Sequence, residues 1–283
     1  WHGILPDAFH SGFGLAIGPK LCSNCRDHQF IQSQNRRNNK CCRQNQSIIM
    51  SSLIYLIPTV LEESAIETIP LYVIDAVKNC QVIYAENERT ARRFLKKMDR
   101  EIVIDDYEWF TIHKAEQEVL SSFKQKITAG KNIAIISEAG CPGIADPGQV
   151  LIAAAQEMKA TIKPLVGPSS ILLALMASGM NGQQFEFVGY LPIDSLERNK
   201  SITALETTSQ KKNSTQIFIE TPYRNNQLLE NLLKTCKPST KLCIAAELTA
   251  PSEFIKTKTI GEWKKEITDF HKKPVIFLLY AGI

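Results

Sequence analysis

No stretch of this 283-residue chain approaches the roughly 20 consecutive apolar residues that a membrane-spanning helix needs. The first residues show no compact apolar core after a basic start, so no secretory signal is read there. There is no internal repeat and no low-complexity tract. Net charge is also missing from most of the sequence. Of 33 basic and 29 acidic residues, six bases and two acids stand before Met50, so the surplus of four lies there and the rest is balanced. From Met50 onward no global basic field of the nucleic-acid-binding kind exists, which leaves room only for a local patch.

Cysteine is sparse in any useful arrangement. Cys80, Cys141, Cys236 and Cys243 are scattered. Cys22-x-x-Cys25 with Cys41-Cys42 resembles half a zinc site, but the second pair is adjacent and no histidine completes a set. No metal site is therefore expected, and a reduced, cytoplasmic protein fits best. Residues 1–49 are rich in Asn, Gln, Arg and Cys and lack a clear period. They are read as translated upstream sequence ahead of a natural start at Met50, with a disordered basic tail as the rival reading.

What is present is one loop, Ser137-Glu138-Ala139-Gly140-Cys141-Pro142-Gly143-Ile144-Ala145-Asp146-Pro147-Gly148. It follows the apolar run 132–136, which reads as a buried parallel strand, and precedes the helical pattern 149–156. Such a loop lies at the carboxyl end of a sheet, where open α/β folds bind ligands. Its glycines and prolines let the backbone approach a ligand and keep its shape without one.

Strands and helices alternate around it. Strands are expected at 53–57, 81–85, 102–104, 133–136 and 161–165, with helices at 69–78, 90–98, 116–129 and 150–158. This is the pattern of a parallel sheet. Gly167-Pro168-Ser169-Ser170 opens a helix over 171–177 that Ser169 or Ser170 can cap, and its amino end can hold an anion. Beyond it, strands at 185–190, 216–220, 241–246, 254–259 and 274–280 are closer together and mixed in direction. Helices fall at 194–209, 225–235 and within 260–270.

These residues add up to a family. From about Leu53 to Tyr280 the chain resembles the tetrapyrrole methylase superfamily, the class III S-adenosylmethionine-dependent methyltransferases. Within it, the likeness is to the bacterial 16S ribosomal RNA cytidine ribose-2′-O-methyltransferases. The signatures are Ile57-Pro58-Thr59, Ala85-Glu86-Asn87-Glu88-Arg89, the loop 137–148, Gly167-Pro168-Ser169-Ser170, Ala177-Ser178-Gly179, and Phe187-Val188-Gly189-Tyr190-Leu191-Pro192. Glu220-Thr221-Pro222-Tyr223-Arg224 and Glu247-Leu248-Thr249 complete the series.

The resemblance implies two α/β domains, 50–167 with a parallel sheet and 168–283 with a mixed sheet, and a cleft between them that holds S-adenosylmethionine. It implies that Pro58, Glu138, Ala139, Gly140, Cys141 and Pro142 line that cleft. Gly167, Pro168, Ser169, Ser170, Tyr190, Ala246 and Pro274 would complete it. A hydroxyl acceptor must lose a proton, and Glu86, Glu220 and Glu247 at strand ends are the candidate bases. The plain alternative has them capping helices or pairing with Arg89 and Arg224, the two residues assigned to substrate. Asp146 reads as a turn former, His113 as a surface histidine and Cys141 as a small wall residue in place of a family threonine. A homodimer is the family's habit, and the small ribosomal subunit RNA is the implied partner.

Departures from the pattern stand at one place above all. The branch follows Pro-Thr with Pro-Ile-Gly-Asn, where this chain has Val60-Leu61-Glu62-Glu63, which should narrow the approach to the cleft. Ala246 and Ala250 replace an Arg and a Lys, leaving Arg89, Arg92, Arg93, Lys96 and Lys97 on one helix as the cationic patch. Three readings follow: a methyltransferase acting on RNA, a methyltransferase acting on a small molecule or tetrapyrrole, and a donor-binding protein without catalysis.

Overall fold

A computed structural model describes residues 52–112, 116–145 and 147–282. Among these residues ten strands form two five-stranded sheets. The first contains β1 (Leu53–Ile57), β2 (Val82–Ala85), β3 (Glu108–Thr111), β4 (Ile133–Ile136) and β5 (Thr161–Pro164), in the order β3-β2-β4-β1-β5. All its pairings are parallel. β2 and β4 are buried at every position, as expected of strands covered on both faces by crossover helices. β5 is an edge strand, and Pro164 is tolerated there because an edge leaves one backbone face unpaired.

The second sheet holds β6 (Phe185–Tyr190), β7 (Thr215–Ile219), β8 (Lys241–Ala246), β9 (Phe254–Thr259) and β10 (Val275–Tyr280), in the order β6-β7-β10-β8-β9. β6 runs parallel to β7 and the other pairings are antiparallel, so the sheet is mixed. β10 is buried throughout. One face packs around Trp263, which is 1% exposed and donates Nε1 to the Leu242 carbonyl at 2.8 Å. The other face packs against Ala174, Leu175 and Leu248.

One expectation fails. Residues 102–104 do not form a strand: Ile102 is a buried core contact, and Ile104–Asp106 is a 3-10 turn. The strand comes later, at Glu108–Thr111, where Phe110 stacks on Tyr84 at 4.8 Å and Trp109 donates to the Ile104 carbonyl. Pairing with β2 decides its position, and an edge strand needs little apolar character of its own. Among the described residues no helix is long and apolar enough to cross a membrane.

Candidate active site

Three loops at the carboxyl ends of β1, β4 and β5 are locked together. Thr59 and Gly140 exchange backbone hydrogen bonds of 2.9 and 3.2 Å. Thr59 Oγ1 and Ser137 Oγ each donate to a carbonyl within the same pair of loops, at 3.3 Å. Gly167 presses on Pro58 so closely that a Cβ built there would lie 2.1 Å from the proline Cβ. Only glycine allows that approach, so 58–59, 137–140 and 167–168 form one preassembled wall.

The wall faces a cavity of about 330 Å³, within the usual size range of small-molecule sites. Ala139, Gly140, Cys141, Ser169 and Ser170 line one side, and Phe187, Ile219, Glu220, Ala245, Leu248, Pro274 and Val275 the other. Backbone strain clusters along its margin. Ala145, Glu247 and Thr249 have φ of 62°, 52° and 68°, the left-handed region that non-glycine residues avoid. The last two flank Leu248 and turn it into the cavity, where it is 7% exposed. On β6 the register shifts between Phe187 and Gly189, and Gly189 at φ 71° swings Tyr190 over the mouth, 61% exposed.

Glu220 borders the cavity through its main chain. Its side chain is fully buried. Oε1 accepts from the Thr221 N–H at 2.7 Å and from Arg224 Nε and Nη2 at 3.0 and 2.7 Å. Oε2 is equally buried and has no partner among the described residues.

Two further cavities continue along the loop. Leu61 and Ala139 separate the first from a second of about 260 Å³, which Thr59, Glu63, Thr90, Arg93 and Lys97 also line. Glu138 separates the second from a wide third of about 590 Å³, bordered by Glu86, Asn87, Glu88 and Arg89. Asn87 organises this end. Its Oδ1 accepts from the Arg89 and Thr90 N–H groups, capping helix Glu88–Met98, while its Nδ2 donates to Glu138 Oε1 at 3.1 Å. Glu86 Oε2 accepts from the Glu138 N–H at 3.0 Å.

A family model described as tetrapyrrole (corrin/porphyrin) methylases matches residues 64–264. The chain belongs to this family. It is a methyltransferase by that membership. Ribosomal RNA small subunit methyltransferase I of Buchnera aphidicola subsp. Schizaphis graminum is 28% identical over 239 residues, covering 83% of this chain and 80% of the relative. The protein of that name from Escherichia coli O157:H7 is 30% identical over 230 residues, covering 80% and 77%. The crystal structure of the methyltransferase CobJ aligns with a TM-score of 0.53 at 15% identity, covering 81% of this chain and 94% of that one, a likeness of fold.

The tetrapyrrole methylase cavity gathers part of the site read from sequence. Ala139, Gly140, Cys141, Ser169, Ser170, Tyr190, Pro274 and Glu220 stand on its wall. Pro58, Gly167 and Pro168 lie behind it as the lock, and Pro142 is buried beside it. The Ala246 side chain points away into the opposite core and Ala245 faces the cavity, because neighbours on a strand alternate. Glu138, Glu86 and Arg89 border the outer cavities. Glu247 pairs with Lys273 at 2.7 Å, off the cavity wall. Ser169 occupies the cap position of helix Ser170–Ser178, but its hydroxyl does not cap that helix. Leu61, Ile144 and Phe187 lie within segments quoted from sequence but were not named as site residues, and Ile219 and Ala245 were not singled out. Ile219 stands one residue before the Glu220–Arg224 motif and Ala245 one before Ala246, and that neighbourhood was their one signal. Asp146, His113 and residues 1–49 lie outside the described residues.

The substituted segment 60–63 does not close the cavity. Leu61 forms its sill, and Glu63 turns outward to Arg93 at 3.4 Å while its carbonyl accepts from Lys97. Arg92 pairs with Glu88 at 2.5 Å and lies over the Trp109 ring, and Lys96 donates to the Arg100 carbonyl. Among the described residues Arg89 alone of these five cations has no ion pair or side-chain hydrogen bond.

Proposed function

We propose that the chain binds S-adenosylmethionine in the 330 Å³ cavity and methylates a ribose hydroxyl of small-subunit ribosomal RNA. The observation that carries this reading is the polarity of the wall. One side offers the amino end of helix Ser170–Ser178, whose first N–H groups suit a carboxylate. The other side is an apolar slot of Ile219, Ala245, Val275 and Leu248. An amino-acid tail and a nucleoside fit that division. When bound, the donor supplies a methyl group already activated on a sulfonium sulfur.

The rest is work for this chain's residues. The locked loops align the reactants, and alignment is the larger part of the rate. Phe187, Leu248 and Ile171 keep water out. On the acceptor side Glu86 Oε1 makes no hydrogen bond among the described residues and takes the proton that the acceptor hydroxyl gives up. Arg89 meets a phosphate, as the unpaired cation at that border. Arg224 serves the site through Glu220. The reading treats 50–167 and 168–283 as domains, places the protein in the cytoplasm, and includes a homodimer for which exposed Val166, Leu172 and Met176 offer apolar surface. A small-molecule acceptor is the second reading. It is favoured by the three carboxylates, Glu86, Glu88 and Glu138, that outnumber Arg89 around the third cavity.

Calorimetry with S-adenosylmethionine and tritiated-methyl transfer to small ribosomal subunits from a strain lacking the corresponding activity test it. Saturable binding with label in RNA is expected. Binding without labelled RNA removes the RNA acceptor, and no binding at millimolar donor removes the whole reading.

Thiol chemistry gives an independent check. Burial pushes the Cys80 and Cys236 thiols up to about 12 and also raises Cys243. Since the thiolate is the reactive form, these three should resist iodoacetamide at pH 8, whereas the half-buried Cys141 on the cavity wall should react. Peptide mass spectrometry should show S-adenosylhomocysteine slowing modification of Cys141 alone. Equal rates with and without that ligand would count against the site.

A further inference from the structure

The segments around Pro222 and Pro274, both of which line the cavity, are built into one ledge at its rim. Asn225 is fully buried, and its Nδ2 donates to the Phe270 and Lys273 carbonyls at 3.2 and 2.8 Å. Asn226 donates to Asp269 Oδ1 at 2.7 Å and accepts from the Phe270 N–H at 2.9 Å. The Lys272 N–H donates to the Pro222 carbonyl at 2.9 Å, and Lys272 holds φ 62°, in the region that non-glycine residues avoid. What this ledge displays is a bare aromatic ring. Tyr223 is 71% exposed, and its hydroxyl makes no hydrogen bond among the described residues. The His271 ring meets it edge-on, with 5.9 Å between centroids and 72° between planes. Lys272 Nζ stands over the ring, 6.0 Å from its centre. The nearby acids are engaged: Glu220 by Arg224, Glu247 by Lys273 and Asp269 by Asn226. Lys272 has no ion pair among the described residues. A ring left in water adds little to stability, so the hydrogen bonds and strained backbone beneath it fix a surface rather than a core.

We propose that Tyr223 is the platform on which an unpaired base of the RNA stacks, beside the nucleotide that enters the site, while Lys272 meets a neighbouring phosphate. The inference rests on the RNA reading of the function and adds to it that the acceptor strand is taken single-stranded. Pro222 lines the cavity and Tyr223 is the next residue, its Cα about 3.8 Å further along the chain, so the platform starts where the cavity ends. A small acceptor held inside the cavity would not need a surface outside it. A base within a duplex has both faces covered by its neighbours, whereas one that is splayed out can lie on an aromatic ring. The edge-on histidine fixes the ring plane without covering its face, and the unpaired ammonium beside it suits a backbone phosphate. Because the ledge is assembled in advance, little ordering is left to be done when the strand arrives. Arg89 borders the third cavity, at the other end of the row, so a strand lying along the cavities meets a cation at each end. Every base has a π-face, so this contact adds affinity without choosing sequence.

Methyl transfer by the whole chain to small ribosomal subunits, followed at saturating donor, tests this. Tyr223→Ala is expected to raise KM for the subunit about tenfold, with kcat within about threefold of wild type and the affinity for S-adenosylhomocysteine unchanged by calorimetry. Tyr223→Phe keeps the ring face and should stay within about twofold of wild type. Lys272→Ala should raise KM and lower the slope of log KM against log salt by about one. A short single-stranded oligoribonucleotide should inhibit the wild type, and the same strand annealed to its complement should not. Inhibition of Tyr223→Ala should need about tenfold more of the single strand. An unchanged KM in Tyr223→Ala overturns the assignment. So does Tyr223→Phe failing as badly as Tyr223→Ala, which would assign the hydroxyl, or equal inhibition by the duplex. Loss of S-adenosylhomocysteine binding in Tyr223→Ala overturns it too, since the ledge would then belong to the donor site. Should Tyr223→Ala fail to fold, judged by circular dichroism, Tyr223→Leu, which keeps apolar bulk without a ring, takes its place. A wild type that binds S-adenosylhomocysteine and labels no RNA is a different failure, since it removes the RNA reading and the inference with it.

Discussion

Glu86→Gln is expected to slow methyl transfer by about a hundredfold to ten-thousandfold while leaving the affinity for S-adenosylhomocysteine unchanged. The substitution is mild in structure. A glutamine oxygen can still accept from the Glu138 N–H, the one hydrogen bond that the carboxylate makes among the described residues, at 3.0 Å, so the loop is held. What disappears is the ability to take a proton on the side of the cavities where an acceptor can enter. Glu247→Gln is the control, because that carboxylate is engaged by Lys273 and stands off the cavity wall. Turnover of Glu86→Gln within about threefold of wild type, measured at saturating donor, would remove Glu86 from the chemistry, since a general base contributes far more than that.

Gly167→Ala should damage both stability and donor binding. The new Cβ would lie 2.1 Å from Pro58 Cβ and 2.5 Å from Pro58 Cγ, inside any real contact distance, and both partners belong to rigid backbone rings or turns. Forcing such a contact apart typically costs about 1–3 kcal/mol. The strain falls on the wall that Thr59 and Gly140 close, so the cavity should widen as the loops separate. Urea unfolding should show the loss of stability, and calorimetry a fall in S-adenosylhomocysteine affinity of about tenfold, equivalent to about 1.4 kcal/mol. Gly182→Ala is the matching control, with nothing within 4 Å of its added methyl. Equal behaviour of the two variants would show that the close approach does not matter.

Much of the fold could be read from the chain because local pattern and tertiary role agree. The runs at Leu53–Ile57 and Ile133–Ile136 are apolar because both faces of their sheet are covered. The edge strand Glu108–Thr111 was missed for the converse reason. Its position is set by pairing with Val82–Ala85 and by the stack of Phe110 on Tyr84, contacts that span 26 residues of sequence and leave no period behind.

The site was readable in a similar way. Glycine and proline mark the loops because backbone geometry demands them, which is why 137–148 and 167–170 stand out. The phase of a strand end leaves no such mark. Whether Ala245 or Ala246 faces the cavity depends on one residue of register in β8, and two alanines look alike. The asymmetry of Glu220 was equally invisible: a Glu four residues before an Arg suggests a pair, but which oxygen is left over is a fact of three dimensions.

The hydrogen-bonded lock between β1 and β4 ends at Thr59. Residues up to that point are tied to the wall of the 330 Å³ cavity, and those just beyond it reach only the sill and the outer cavities. The loop 60–63 is therefore a place where descendants of one ancestral enzyme can diverge in what they modify without re-inventing how they are charged with methyl groups. On that view the Val60-Leu61-Glu62-Glu63 sequence marks a change of clientele rather than decay, and grafting loops between relatives at this joint should exchange their targets.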